Sequence, residues 1–389
     1  MTDSRIFNRR EALKLGAAGG AFALSLSMFG TNARAGGELT LADIGVGDTG
    51  DWSKFSKKTG HNVNVVSMGN APSAVVNQLL AGGGRSTFHI VNIVGGMQEP
   101  LVQNDLIRKL DTSRMPNWAA NSYIGSHLAK GTPGFEFIGH KDDIYGVPTV
   151  LQGDSFAYLP DETGDLDSYG ALFDPKFKGF VSLEDNYTTA GQKTALFLNH
   201  SGQAKIANPA DMTPEEVRTV IDFLIEKKNA GQFRVIWSSF EQAVNLLTTK
   251  EVHVMDCWEP MVFVAKDKGT NARYADPKEG YLLWAMAAYI VNNPERSEVD
   301  LAAAYALLDF MLGGWYGAKI TLLRGYMTNP LAADYATKNS KEFSVEEALR
   351  VKEITDGVKA KFEKGGTWQN RWPTHVDVYE EEWQRFKAA

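Results

Sequence analysis

ELTLADIGVGDTGDWSKFSKKTGHNVNVVS, residues 38–67, decides the fold class. ELTLADI (38–44) alternates polar and apolar side chains, as a strand with one face on a core does. GVGDTG (45–50) is a loop, 51–59 has the spacing of a short helix stopped by Gly60, and NVNVVS (62–67) is a second strand. Moving outward, 73–81 predicts a helix ended by Gly82-Gly83-Gly84, and FHIVNIV (88–94) a third strand. This strand–helix–strand rhythm predicts an α/β fold with a mostly parallel sheet covered by helices.

A second cycle follows. GFVSL (179–183) predicts a strand, 190–200 a helix, and 214–230 a helix with Thr213 as cap, Pro214 in its first turn and Gly231 as its stop. Strands are expected at 233–237, 252–256 and 281–291, and helices at 239–249, 301–312, 315–323, 345–364 and 376–387. A chain of 389 residues exceeds what one core usually supports, which predicts two domains.

The first 35 residues read as an address. Arg9-Arg10, an apolar run from about Leu15 to Phe29 and Ala33-Arg34-Ala35 give the basic, apolar and small-x-small regions of a secretory leader. The paired arginines point to the twin-arginine route. The apolar run is too short and glycine-rich for a spanning helix. Cys257, the single cysteine, lies far from the cleavage site, so neither a lipid anchor there nor an intrachain disulfide is expected. A free periplasmic protein is expected.

The net charge of −7 becomes more negative without residues 1–35, whose five basic side chains outnumber Asp3 and Glu11. An acidic chain argues against nucleic acid as a partner. The residues of an active site are also lacking. There is no G-x-S-x-G elbow and no Walker loop. The seven histidines form neither H-x-H nor H-x-x-x-H, so no metal site is expected from sequence-near histidines. Neither catalytic residues nor a cofactor are expected. Gly45-Val46-Gly47 and Gly95-Gly96 offer backbone N–H groups that would suit a carboxylate or phosphonate.

Several stretches carry a resemblance: YGVP (145–148), LFDPKFKGFVSLEDN (172–186), KEVHVMDCWEPMVFVA (250–265), PKEGYLLW (277–284), RGYMTNPLA (324–332) and GTWQN (366–370). In this order and spacing the chain resembles the periplasmic spermidine/putrescine-binding proteins, within the wider group serving polyamine, opine and phosphonate ABC transporters. The resemblance implies a type II periplasmic binding protein: two α/β lobes joined by two crossovers, with the ligand in the cleft. The expected lobes are 36–150 with 285–330, and 151–284 with 331–389. It also implies a small-molecule ligand, an inner-membrane permease as partner, and a monomer.

Carried over by the resemblance, Asp185 pairs with a ligand amine, Trp258 and Trp284 wall the site, and Tyr326 and Gln369 supply polar contacts. Asp185 has a rival role as a helix cap, and Trp284 as core packing. Glu259 and Asp256 are further candidates, Asp256 sharing a strand face with Trp258. The chain departs from the family at Met286 and Thr188, where polyamine binders carry acids, and in the loops Ile44–Gly47 and Gly95–Met97, where they carry aromatic residues. These departures favour an amino-carboxylate or opine-like solute beside the polyamine-like one. The alternative functions are a cofactor-dependent exported enzyme and a sensor that presents its ligand to a receptor.

Overall fold

The computed structural model describes residues 37–68, 72–369 and 371–389; the expected leader lies outside them. The strands that carry the fold are β1 (Glu38–Asp43), β2 (Asn62–Ser67), β3 (Ile90–Val94), β4 (Gly146–Tyr158), β5 (Val181–Glu184), β6 (Phe233–Trp237), β7 (Val254–Cys257), β8 (Tyr281–Ile290) and β9 (Gly366–Trp368). The helices used below are α1 (Ser53–Thr59), α2 (Gln192–His200), α3 (Pro214–Asn229), α4 (Phe240–Thr248), α5 (Glu259–Asp267), α6 (Val345–Lys364) and α7 (Val376–Ala388).

The chain divides into two units. Unit 1 holds residues up to Val150, Ala285–Leu323 and Met327–Lys352; unit 2 holds Leu151–Trp284, Arg324–Tyr326 and Glu353–Ala389. The chain passes between them inside β4, β8 and α6, and twice more around Arg324–Tyr326. Two segments differ from expectation: residues 331–352 group with unit 1, and Arg324–Tyr326 with unit 2. Lys54 on α1 anchors the first of these through Glu342 at 2.5 Å and the Tyr335 hydroxyl at 2.8 Å.

In unit 1, β1 pairs in parallel with both β2 and β3, and the end of β8 runs antiparallel to β3 through Met286↔Val94 to Ile290↔Ile90. Leu39 and Leu41 are buried and Thr40 half-buried, but Ala42, Asp43 and Ile44 are buried as well, so the expected alternation holds only for the start of the strand. Helix α1 presses Phe55 onto the core and stops at Gly60, whose φ of 81° is the left-handed conformation that ends helices.

In unit 2, β5 pairs in parallel with β6 and β7, and β7 runs antiparallel to β4. The start of β8 pairs in parallel with β9, through Leu283↔Trp368. Two apolar clusters cover the sheet. One joins Phe156, Leu183 and Val254 to Leu224 of α3 and Trp383 of α7; the other joins Met255 and Cys257 to Leu247 of α4 and Met261 of α5. Helix α3 opens with a full capping box, in which Thr213 Oγ1 accepts from the Glu216 N–H and the Glu216 carboxylate accepts from the Thr213 N–H. Parallel β5, β6 and β7 end on one edge of the sheet, where ligands of α/β proteins bind.

Candidate ligand-binding site

That edge of unit 2 carries a buried, acidic, tryptophan-lined cluster. Glu184 ends β5 opposite Trp237, the end of β6. On the other side of β5, Asp256 of β7 is fully buried. Antiparallel β4 meets β7 in the register Ser155↔Cys257, which brings Asp154 to the level of Trp258. Asp154, Glu184, Asp256 and Trp258 thus come from three neighbouring strands.

Hydrogen bonds knit the group. The Trp258 indole donates to Glu184 Oε2 at 3.0 Å, and the Glu184 N–H donates to Asp256 Oδ2 at 3.3 Å. The Trp237 indole donates to the Asp256 carbonyl at 2.7 Å and its ring meets Trp258 edge-on at 5.6 Å. Lys193, near the start of α2, ion-pairs with Asp256, both side chains being out of solvent. Beside them Glu259 takes Lys361 of α6 at 2.6 Å, and Lys361 also donates to Gln152 Oε1 at 3.0 Å.

Burial and mutual repulsion set the electrostatics. Burial pushes the Glu184 carboxyl up to about 8, with the Asp256 charge adding to it. Burial raises Asp154 to about 6, against the lowering pull of Lys193. Burial alone would lower Lys193, but Asp256 and Asp154 together hold it above its ordinary value. Four acidic groups, at Asp154, Glu184, Asp256 and Glu259, face two lysines, and the raised Glu184 and Asp154 are the acids that an added cation would help to ionise.

The remaining aromatic candidates stand near Asp154. Trp284 of β8 and Tyr326 meet edge-on at 5.4 Å. The Trp284 indole N–H approaches the Asp154 carboxylate closely enough to favour its charge. Yet neither that N–H nor Asp154 Oδ1 makes a hydrogen bond of full geometry. The Gln369 N–H is fixed on the Leu283 carbonyl at 2.8 Å, while its buried side-chain Oε1 has no donor. Buried polar groups are normally paired, so the incompletely satisfied Asp154 and Trp284 beside each other mark a place for a polar guest.

Of the residues singled out from sequence, Asp256, Trp258, Glu259, Trp284, Tyr326 and Gln369 all lie in or beside this cluster. Asp185 does not. Its carboxylate accepts from the Trp383 indole at 2.8 Å and from Lys387 at 2.7 Å, both on α7. The reason is strand alternation: Glu184 and Asp185 leave the chain in opposite directions. Nor does Asp185 cap the next helix. Asn186 takes that place, accepting from the Thr188 N–H, and a π-helical turn over Tyr187–Gly191 precedes α2. Sequence reading missed Asp154, Glu184, Lys193 and Lys361.

The glycine loops of unit 1 also differ from expectation. Asp43 accepts from the Gly45 N–H at 2.9 Å, the Gly47 N–H at 3.0 Å and Asn92 Nδ2 at 2.6 Å. The Gly95 N–H donates to the Ala285 carbonyl at 2.8 Å and the Gly96 N–H to Gln98 Oε1 at 2.7 Å. The protein's own acceptors use the N–H groups that an anionic ligand would need. Among the described residues, no helix is long and apolar enough to cross a membrane, and no three His, Cys, Asp or Glu side chains gather as metal ligands.

A two-lobed type II periplasmic binding protein is the class that this fold defines. Solved structures agree: the substrate-binding protein of the spermidine/putrescine ABC transporter from Streptococcus pneumoniae superposes with a TM-score of 0.67 at 16% identity, covering 90% of this chain and 98% of that one. MotA from A. tumefaciens B6, solved with glucopine, gives 0.61 at 18% identity, with 90% and 99% covered. Among curated relatives, the spermidine/putrescine-binding periplasmic protein 1 of Haemophilus influenzae is 23% identical over 345 residues, 86% of this chain and 84% of that protein. Residues 52–349 match the model of the bacterial extracellular solute-binding proteins, and the chain belongs to that family. It is a solute-binding protein, not an enzyme.

Proposed function

We propose that this protein is the periplasmic solute-binding component of an ABC importer for a small, amine-containing organic solute. The observation that carries the reading is the excess of acidic side chains over lysines, four to two, at the sheet edge of unit 2, flanked by Trp258 and Trp284. An ammonium ion leaving water needs a carboxylate and hydrogen bonds, and indole faces add cation–π attraction. The similar proteins named above are spermidine/putrescine binders and a glucopine complex, which bracket the solutes to try.

Residues 1–35 serve in this reading as a twin-arginine leader, and the mature protein works as a monomer that hands its solute to a membrane permease. The two units are its lobes, and differential contact with the solute favours one conformation over the other. Asp256, Trp258, Glu259, Trp284, Tyr326 and Gln369 form the site, joined by Asp154 and Glu184. A thermal-shift screen of the exported form with polyamines, opines, amino acids and amines tests this. Solute at about 100 times its Kd adds about 2.7 kcal/mol of stability. Stabilisation by amines is expected, and stabilisation by none of them overturns the reading.

A further inference from the structure

We propose that the site accepts a solute with a single ammonium group, seated on Asp154, because lysines of the protein itself occupy the places where a second cation would sit. This deepens the amine reading given above and rests on it.

The partners of the four carboxylates support the count. Asp256 is paired with the buried Lys193. Glu259 is paired with Lys361, itself held by Gln152 and lying 4.8 Å from the centre of the Tyr274 ring. Glu184 is engaged by neutral donors, the Trp258 indole at 3.0 Å and Asn186 Nδ2 at 3.4 Å. Of the four, Asp154, 2% exposed, is the one with a fully buried oxygen, Oδ1, that makes no full hydrogen bond. Beside it the buried Trp284 indole N–H approaches Asp154 without completing a hydrogen bond, so that the carboxylate is held ready but not satisfied. An ammonium on Asp154 supplies the missing donor. A second ammonium seeking Asp256 or Glu259 would find each already paired with a lysine, and would meet a like charge there.

Calorimetric titration of the exported protein with n-butylamine, 4-aminobutyrate and putrescine tests the proposal. At least one of the two single-ammonium probes is expected to bind about ten-fold tighter than putrescine or better, with Asp154→Asn weakening it about 100-fold. Lys193→Met and, where that variant fails to fold, Lys361→Met should shift preference toward putrescine by about ten-fold. Putrescine binding as tightly as both single-ammonium probes, or Asp154→Asn binding unchanged, overturns the single-ammonium count while leaving the amine reading intact. Binding of no amine at all, by these probes or by spermidine, overturns the amine reading and this proposal with it.

Discussion

Lys193 and Asp256 form an ion pair in which neither side chain touches solvent, set between α2 and β7 at the edge of the sheet. Such a pair gains little over well-packed apolar residues, but each half is costly without the other. Lys193→Met should therefore lower stability by about 3–5 kcal/mol. The double variant Lys193→Met with Asp256→Asn should regain part of it. Urea unfolding curves check this, and a single-variant loss under about 1 kcal/mol counts against the pairing.

The acidic cluster predicts a dependence on pH. Glu184 is raised to about 8 and Asp154 to about 6, through burial and the neighbouring Asp256, with Lys193 opposing. A carboxyl whose folded value lies above its unfolded one contributes stability that is full below the unfolded value. That contribution is lost as pH rises through the folded value. The melting temperature should therefore fall between about pH 4.5 and 8, and fall less in Glu184→Gln. A cationic solute reverses the preference, so its affinity should rise over the same range. Titrations in buffers of different ionisation heat would report the released proton.

Asp185 ties α7 to the end of β5 through Trp383 and Lys387. Asp185→Ala should cost about 1–3 kcal/mol and speed hydrogen exchange in 376–388, with solute affinity unchanged. An affinity loss of ten-fold or more would return Asp185 to the site.

Gly47 is held close against its neighbours. A Cβ there would lie 2.3 Å from Asn92 Nδ2 and 2.7 Å from Asp43 Oδ1. Gly47→Ala should break the closed loop and cost about 1–3 kcal/mol, measured by the same unfolding curves.

Much of the frame was readable. The strands at 62–67 and 233–237 and the helix at 345–364 occur at the residues expected, since alternation and helical spacing report burial on one face. The site was harder for identifiable reasons. Choosing Asp185 over Glu184 depends on the phase of a four-residue strand at its last position, which sequence does not fix. Asp154 sits in LQGDSFAY, where the whole strand is buried and no polar alternation separates a site residue from a packed one. Lys193 reads as an exposed helical lysine until β7 places Asp256 against it. The loop glycines looked vacant because their acceptor, Asp43, reads as a strand residue.

The contact of the Trp258 indole with Glu184, and the approach of Trp284 to Asp154, have an optical consequence. Indole emission responds to a nearby carboxyl gaining or losing its proton and to a cation arriving over the ring. Two of the nine tryptophans are thus wired to the groups that would receive the solute. The unlabelled protein carries its own fluorescent reporter, and the difference spectrum between it and Trp258→Phe isolates the Glu184 half of that signal.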